Sequence, residues 1–229
     1  MSKIKVAIQG ELGAYSHIAA DKLYKDAVIT TCSTFEETFK QAYNDPSYKI
    51  VIPIENSLAG RVADIHYLLP KYKLQIHGEY FLPVEHNLLG KPDATIEDIK
   101  YVRSHAQAIS QCQNIISKRK FKSIISVDTA GSAKDLAEGK DKSIAAIASD
   151  LSAKMYNLKI LEKNIEDEKG NVTRFLIMGK NIEQPEYMPS KKFITSCIFR
   201  VKSEPSALYK CLGGFATNQV NLTKLESFS

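Results

Sequence analysis

Ile50-Val51-Ile52-Pro53-Ile54-Glu55-Asn56-Ser57-Leu58-Ala59-Gly60 is an apolar run that breaks off into a polar, glycine-ended turn. The run is too short for a helix and rich in β-branched residues, so it reads as a buried strand, Ile50–Ile54. Beyond it Leu58, Val62, Ile65 and Leu69 keep a helical period, which predicts a helix with Asn56 or Ser57 as N-cap. Strand, polar turn, helix is the repeating unit of an α/β domain. The same alternation runs through the first 180 residues. Its further strand candidates are Lys5–Ile8, Val28–Thr31, Leu74–Leu82, Tyr101–Ser104, Ile124–Val127, Ser143–Ile147 and Phe175–Met178.

Helix starts can be read between these runs. Thr34 with Glu37 has capping-box spacing ahead of Phe35, Phe39 and Ala42. Asp128-Thr129 caps a helix expected to stop at Gly139, where a left-handed residue is easily supplied. Two prolines within Pro185–Pro189 prevent regular structure and mark a linker over 181–190. Beyond it, Phe193–Val201 and Asn221–Ser227 read as strands flanking a helix from Ser203 to Ala216, with Pro205 tolerated in its first turn. Such a β-α-β tail leaves a sheet face uncovered and is expected to need a partner.

Composition narrows the function. Hydrophobic residues make up 44% and charged residues 25% of the 229 residues, as in soluble globular proteins. A net charge of +5 with acidic residues interspersed argues against a nucleic-acid partner. No apolar stretch is long enough to cross a bilayer, and Met1 leads into a strand pattern with no signal peptide. Cys32, Cys112, Cys197 and Cys211 have neither metal-site nor disulfide-framework spacing. A cytoplasmic location follows as the expectation, with no metal and no cofactor.

Chemistry concentrates in the loops that leave strand ends, where open α/β domains bind ligands. Gln9-Gly10-Glu11-Leu12-Gly13-Ala14-Tyr15-Ser16-His17, Glu55-Asn56-Ser57, Ser104-His105-Ala106-Gln107 and Asp128-Thr129-Ala130 each precede a helical pattern and offer backbone N–H groups to an anion. If Ser104 opens a helix, then Ser104, Gln107 and Gln111 share one face, apart from the apolar Ile109, Cys112 and Ile116. That face would either line a cleft or be solvated. Thr173-Arg174-Phe175 leads into a strand. Arg can grip a carboxylate bidentately and Thr can donate to a leaving oxygen, although the triplet alone is also an ordinary strand start. His17 and His105 sit in these loops with structural hydrogen bonding expected. His66 and His77 have no companions at catalytic or metal spacing. Gly10 and Gly13 complete no nucleotide fingerprint.

Together the four loops, with Ala145-Ala-Ile-Ala148 and Asn171-Val-Thr-Arg-Phe175, resemble the prephenate dehydratase family in order and spacing, with Ala106 where proline is usual. The resemblance implies a two-lobed catalytic domain over 1–180, like a type 2 periplasmic binding protein. One lobe covers about 1–78 and 168–180, the other about 79–167, with the site in the cleft. It implies cofactor-free conversion of prephenate to phenylpyruvate, in a homodimer or homotetramer. It assigns Thr173, Arg174 and Phe175 to catalysis: Thr173 to the leaving hydroxyl, Arg174 to a carboxylate, Phe175 to the ring. Glu55, Asn56, Ser57, Ser104, Gln107 and Gln111 become substrate-binding residues. The tail, 191–229, resembles the first half of a ferredoxin-like ACT module. L-phenylalanine would be its effector, at Ser206, Ala207, Leu208, Tyr209, Glu226 and Ser227. Ser206 and Tyr209 depart from that module's usual glycine and valine, and its second half is missing, which weighs against feedback control in the polypeptide as given. Rival readings are an arogenate dehydratase, a two-lobed binding protein without catalysis, and an inactive regulatory relative.

Overall fold

The computed structural model describes residues 3–181, 186 and 188–227. The predicted linker falls partly, and Phe228 and Ser229 wholly, outside them. The chain divides into two compact units, Met1–Gln184 and Pro185–Ser229.

The first unit begins β1 (Lys5–Gln9), α1 (Tyr15–Leu23), β2 (Val28–Cys32), α2 (Phe35–Asn44), β3 (Tyr48–Asn56), β4 (Gly60–Arg61), α3 (Ala63–Tyr72) and β5 (Gln75–Pro83). It continues with β6 (Asn87–Gly90), β7 (Tyr101–His105), α4 (Ala106–Ser110), α5 (Gln113–Arg119), β8 (Lys122–Ser126), α6 (Thr129–Glu138), β9 (Ile144–Ala148), α7 (Asp150–Met155), β10 (Lys159–Glu162) and β11 (Val172–Gly179). Two sheets result. One has the order β2-β1-β3-β11-β5 with β4 on β3, and the other β10-β6-β9-β7-β8. The chain passes to the second sheet after β5 and returns by β11, which runs antiparallel between β3 and β5.

Both faces of the first sheet are buried, so its central strands are apolar throughout rather than alternating. Ile50, Ile52, Leu176 and Met178 pack with Phe39 of α2 and Ile65 of α3. Val51, Phe175 and Ile177, one residue out of step, pack on the other face with Val6, Ile8 and Ala19 of α1. In the second sheet Val102, Ala145 and Ile147 meet Cys112 and Ile116, while Leu89 and Ala146 meet Ala133 and Leu136 of α6. Each fully buried Ile, Leu or Phe contributes roughly 1.5–3 kcal/mol.

Several local expectations need correction. No helix follows Ser57 directly. Asn56 ends β3, Gly60 turns the chain at φ +79°, and α3 starts only at Ala63. Ser104 lies inside β7, not at a helix start, and the helix expected through Gln111 is broken. There the Asp167 carboxylate accepts the N–H groups of Gln113 (2.8 Å) and Asn114 (3.0 Å), so a new helix begins. Gly139 ends α6 at φ −68°, with no left-handed turn. Thr34 accepts the Glu37 N–H at 3.1 Å as expected, but Glu37 reaches back to Ser33 instead of Thr34.

In the C-terminal unit, helix α8 (Ala207–Thr217) forms, but neither Phe193–Val201 nor Asn221–Ser227 is a strand. A ladder requires two paired backbones, and among the described residues neither segment joins one. Phe199 instead packs against Phe215 at a centroid distance of 5.9 Å. Ser206 caps α8 in the left-handed region, φ +66°, without a side-chain hydrogen bond. No described helix is long and apolar enough to cross a membrane.

One contact ties the two sheets of the first unit together. The Gly13 carbonyl, in the loop after β1, accepts from Ser149 Oγ at 2.6 Å and Ser152 Oγ at 3.0 Å, both at the start of α7. Tyr156 Oη donates to the Leu12 carbonyl at 2.9 Å. Gly13 has φ +90°, and a Cβ there would lie 2.6 Å from Ser152 Oγ and 2.8 Å from its Cα. Strain and overlap act together. Gly13→Ala is therefore expected to lower stability by about 2 kcal/mol or more, read as a lower urea midpoint with an unchanged slope.

Candidate active site

Between the sheets lies a cavity of about 420 Å³, large enough for a small organic acid. Its walls come from strand-end loops: Gln9, Gly10 and Tyr15 after β1; His105 and Gln107 after β7; Asp128 and Thr129 after β8; Asn56 to Val62 around the β3–β4 turn. Asn171, Thr173 and Phe175 of β11 and its approach close one side.

A bulge in β3 brings the key groups together. Across from β11, Asn56 faces Thr173 and Glu55 faces Arg174, but Phe175 faces Pro53, so Ile54 is the extra residue. The Ile54 carbonyl is taken by the Val62 N–H at 3.0 Å. Proline, which has no N–H to offer a ladder, is tolerated beside such an irregularity. Because of the bulge, Pro53 and Asn56 both reach the cavity although three positions separate them.

The Asn56 amide is oriented by backbone. Its Oδ1 accepts the N–H groups of Leu58 (3.0 Å) and Ala59 (2.8 Å), so Nδ2 must point the other way. Nδ2 donates to Thr173 Oγ1 at 2.9 Å and to Asn171 Oδ1 at 2.6 Å. Asn171 then directs its own Nδ2 to Gln111 Oε1 at 3.0 Å. Ser57 ties the turn to β11 by accepting the Val172 N–H at 2.9 Å. The Thr173 hydroxyl thus receives a hydrogen bond and keeps its own hydrogen. Among the described residues, none accepts it. A donor aimed at an oxygen makes its O–H a better donor in turn.

Arg174 behaves otherwise. On β11 it points to the opposite face from Thr173 and Phe175, and its Nε and Nη2 hold Glu79 Oε2 at 2.7 and 2.6 Å, with Glu55 3.9 Å from Nη1. The guanidinium also lies 5.9 Å from the Phe81 ring centroid. The expected grip of Arg174 on a substrate carboxylate is therefore corrected: strand alternation and the Glu79 pair turn it away, and Glu55 goes with it. Arg61 of β4, a segment that borders the cavity, is the ladder partner of Glu55.

Ser104 is fully buried and donates to the Ile147 carbonyl at 2.6 Å, so it fixes the strand end beneath the site without lining the cavity. Ser57 likewise acts through the turn. Gln107 and Gln111 do line the cavity, from α4 and its C-terminus. His105 caps α4, and His17 Nδ1 accepts the Gly13 N–H at 2.9 Å. Ser206 to Tyr209 and Glu226 belong to the C-terminal unit, where Glu226 sits 3.2 Å from Lys224. Among the described residues no cluster of histidine, cysteine or carboxylate could hold a metal ion.

The sequence reading missed His86, a buried histidine just before the unpredicted strand β6, and gave Tyr15, Arg61 and Asn171 no role. His86 Nε2 lies 3.0 Å from Gln111 Oε1 and Nδ1 lies 2.8 Å from Tyr15 Oη. Its backbone N–H donates to Glu166 at 2.9 Å. Burial lowers the His86 pKa and raises that of Tyr15 well above the ordinary value, so both stay neutral near pH 7.

Neutral hydrogen-bonding groups thus line a cavity between two α/β sheets, the place where an enzyme of this architecture holds a small ligand. A family model described as prephenate dehydratase matches residues 6–183, and the chain belongs to the prephenate dehydratase family of decarboxylating hydro-lyases. A bifunctional N-acyl-homoserine lactone acylase/prephenate dehydratase of Komagataeibacter europaeus is 40% identical over 225 residues, covering 97% of this chain and 79% of the relative. An arogenate dehydratase/prephenate dehydratase of Arabidopsis thaliana is 40% identical over 226 residues, covering 99% and 59%. The crystal structure of a prephenate dehydratase from Arthrobacter aurescens in complex with L-Phe superposes with a TM-score of 0.85 at 24% identity, covering 98% and 75%.

Asn56→Asp keeps the two turn hydrogen bonds but makes the Thr173-facing atom an acceptor. The folded variant is expected to lose about 10²–10³ in kcat, checked by steady-state turnover alongside an unchanged circular dichroism spectrum.

Proposed function

We propose that the chain turns prephenate into phenylpyruvate, carbon dioxide and water, with Thr173 as the donor to the departing hydroxyl. The hydrogen bond from Asn56 Nδ2 to Thr173 Oγ1 carries this reading, because the hydroxyl accepts it and so keeps its own hydrogen for substrate. In the reaction the ring C–O bond breaks and the hydroxyl leaves as water after taking up a proton. The C–C bond to the ring carboxylate breaks with it, and its electron pair enters the ring as carbon dioxide departs. Aromatisation supplies the drive, so the protein's work is positioning and hydrogen bonding.

Phe175 lines the pocket as an apolar surface for the ring. Gln107, Gln111 and Asn56 supply neutral hydrogen bonds. Four free cysteines support a reducing, cytoplasmic setting. The exposed Leu208, Tyr209, Val220 and Leu225 of the C-terminal unit support assembly as a homodimer or homotetramer. L-phenylalanine is the effector proposed for that unit, with Ser206, Ala207, Leu208, Tyr209, Glu226 and Ser227 as its contacts.

Arogenate is the alternative substrate, since it shares the reacting ring and differs only in its amino side chain. Absorbance of phenylpyruvate at alkaline pH after incubation with prephenate tests the main reading, and a faster reaction on arogenate would reassign the substrate. No turnover of either would leave a binding protein. Thr173→Ala is expected to lower kcat by about 10²–10⁴.

A further inference from the structure

The amide chain that starts at Asn56 reaches a residue to which nothing above gives a task. Asn56 Oδ1 is committed to two backbone N–H groups, so Asn56 donates to Asn171. Asn171 in turn donates to Gln111, and the oxygen of Gln111 is thereby the atom that faces His86 Nε2 at 3.0 Å. Two acceptors cannot share that contact. Nε2 must carry a hydrogen. The neutral form with hydrogen on Nδ1 alone is excluded, whereas both the Nε2–H neutral form and the imidazolium satisfy Gln111. Burial disfavours the charged form. In the neutral form Nδ1 accepts from Tyr15, whose hydroxyl hydrogen is shared with the Glu85 carbonyl, 2.8 Å from Oη.

Resting on the dehydratase reading, we propose that His86 is a positioning residue whose Nε2–H holds the Gln111 amide with its oxygen toward His86 and Asn171. The amino group of Gln111, which lines the cavity, is then left to donate to the substrate. Gln111 is oriented from two sides: Asn171, itself turned by Asn56, donates to its oxygen, and the imidazole Nε2–H donates to the same oxygen. The Leu58 and Ala59 N–H groups set the direction at the Asn56 end, and the imidazole holds it at the Gln111 end. His86 therefore acts at one remove from the chemistry, on a substrate donor and on the chain that ends at the Thr173 hydroxyl.

Side-chain isosteres separate this role from simple packing. The amide nitrogen of glutamine can reach the place of imidazole Nε2, and an asparagine side chain can occupy only the place of Nδ1. His86→Gln is expected to keep kcat within about threefold of wild type, whereas His86→Asn loses about tenfold in kcat with KM little changed, the cost of one hydrogen bond in a reacting complex. Nitrogen-15 NMR of the wild-type chain, labelled at histidine and without substrate, is expected to show His86 Nε2 protonated. An unprotonated Nε2 overturns the proposal whatever the kinetics. So does a His86→Asn variant that turns over like wild type, or an equal fall in both variants, which marks a packing role. If His86→Asn does not fold, the imidazole spectrum and the His86→Gln turnover still decide. Wild-type protein with no turnover of prephenate or arogenate would count against the dehydratase reading itself, while the NMR result stands apart from it.

Discussion

The Gly13 carbonyl is the constraint on which the site depends. Two serine hydroxyls from the start of α7 converge on it, and the neighbouring Leu12 carbonyl takes Tyr156. These bonds hold the loop after β1 against the second sheet, and with it Tyr15, which reaches His86 and the Glu85 carbonyl. The cavity has walls from both sheets, so its width is fixed by this contact as much as by the connections between β5 and β6 and between β10 and β11. Side-chain oxygen on backbone oxygen at 2.6–3.0 Å is a short-range, directional restraint, unlike the apolar packing elsewhere.

Neutral groups do most of the work inside that frame. Amides and hydroxyls form a continuous chain from Thr173 through Asn56, Asn171 and Gln111 to His86, spanning the two sheets. Each amide has a donor end and an acceptor end, so fixing one fixes its neighbour, and the direction set by two backbone N–H groups is transmitted to a hydroxyl and an imidazole. A half-satisfied chain would be costly in so enclosed a place. Here every internal link is made. The open valences are at the cavity, where Thr173 has a hydrogen to give and Gln111 an amino group.

Much of this fold was legible because its strands are short apolar runs and its loops polar. Ile50–Ile54 and Phe175–Met178 carry enough β-branched and apolar residues on both faces to be seen without structure. What escaped was set by tertiary contacts. β6 and β10 are too short to show a period, and β4 spans two residues. The break between α4 and α5 is imposed by Asp167, far along the chain. At the site, Thr173, Phe175, Asn56, Gln107 and Gln111, drawn from separate loop motifs, line one cavity. Arg174 was misread because a residue type suited to carboxylates says nothing about which face of a strand it occupies. His86 was missed because a lone histidine beside apolar residues has no local signature, and only its distances to Gln111 and Tyr15 reveal it.

The extra residue in β3 makes this site a matter of counting. Upstream of Ile54 the strand keeps one parity, which packs Ile50 and Ile52 on one side and Val51 on the other. Downstream, the parity is reversed, and Asn56 arrives opposite Thr173. Had the strand continued as a regular ladder with Ile54 paired, Asn56 would fall on the face that holds Arg174 and Glu79. The extra step lets Ile54 and Glu55 share one side, Ile54 in the core with its carbonyl held by Val62, and leaves Pro53 and Asn56 to the cavity. Four consecutive residues thus serve both a packed interior and a polar pocket without the strand ending between them.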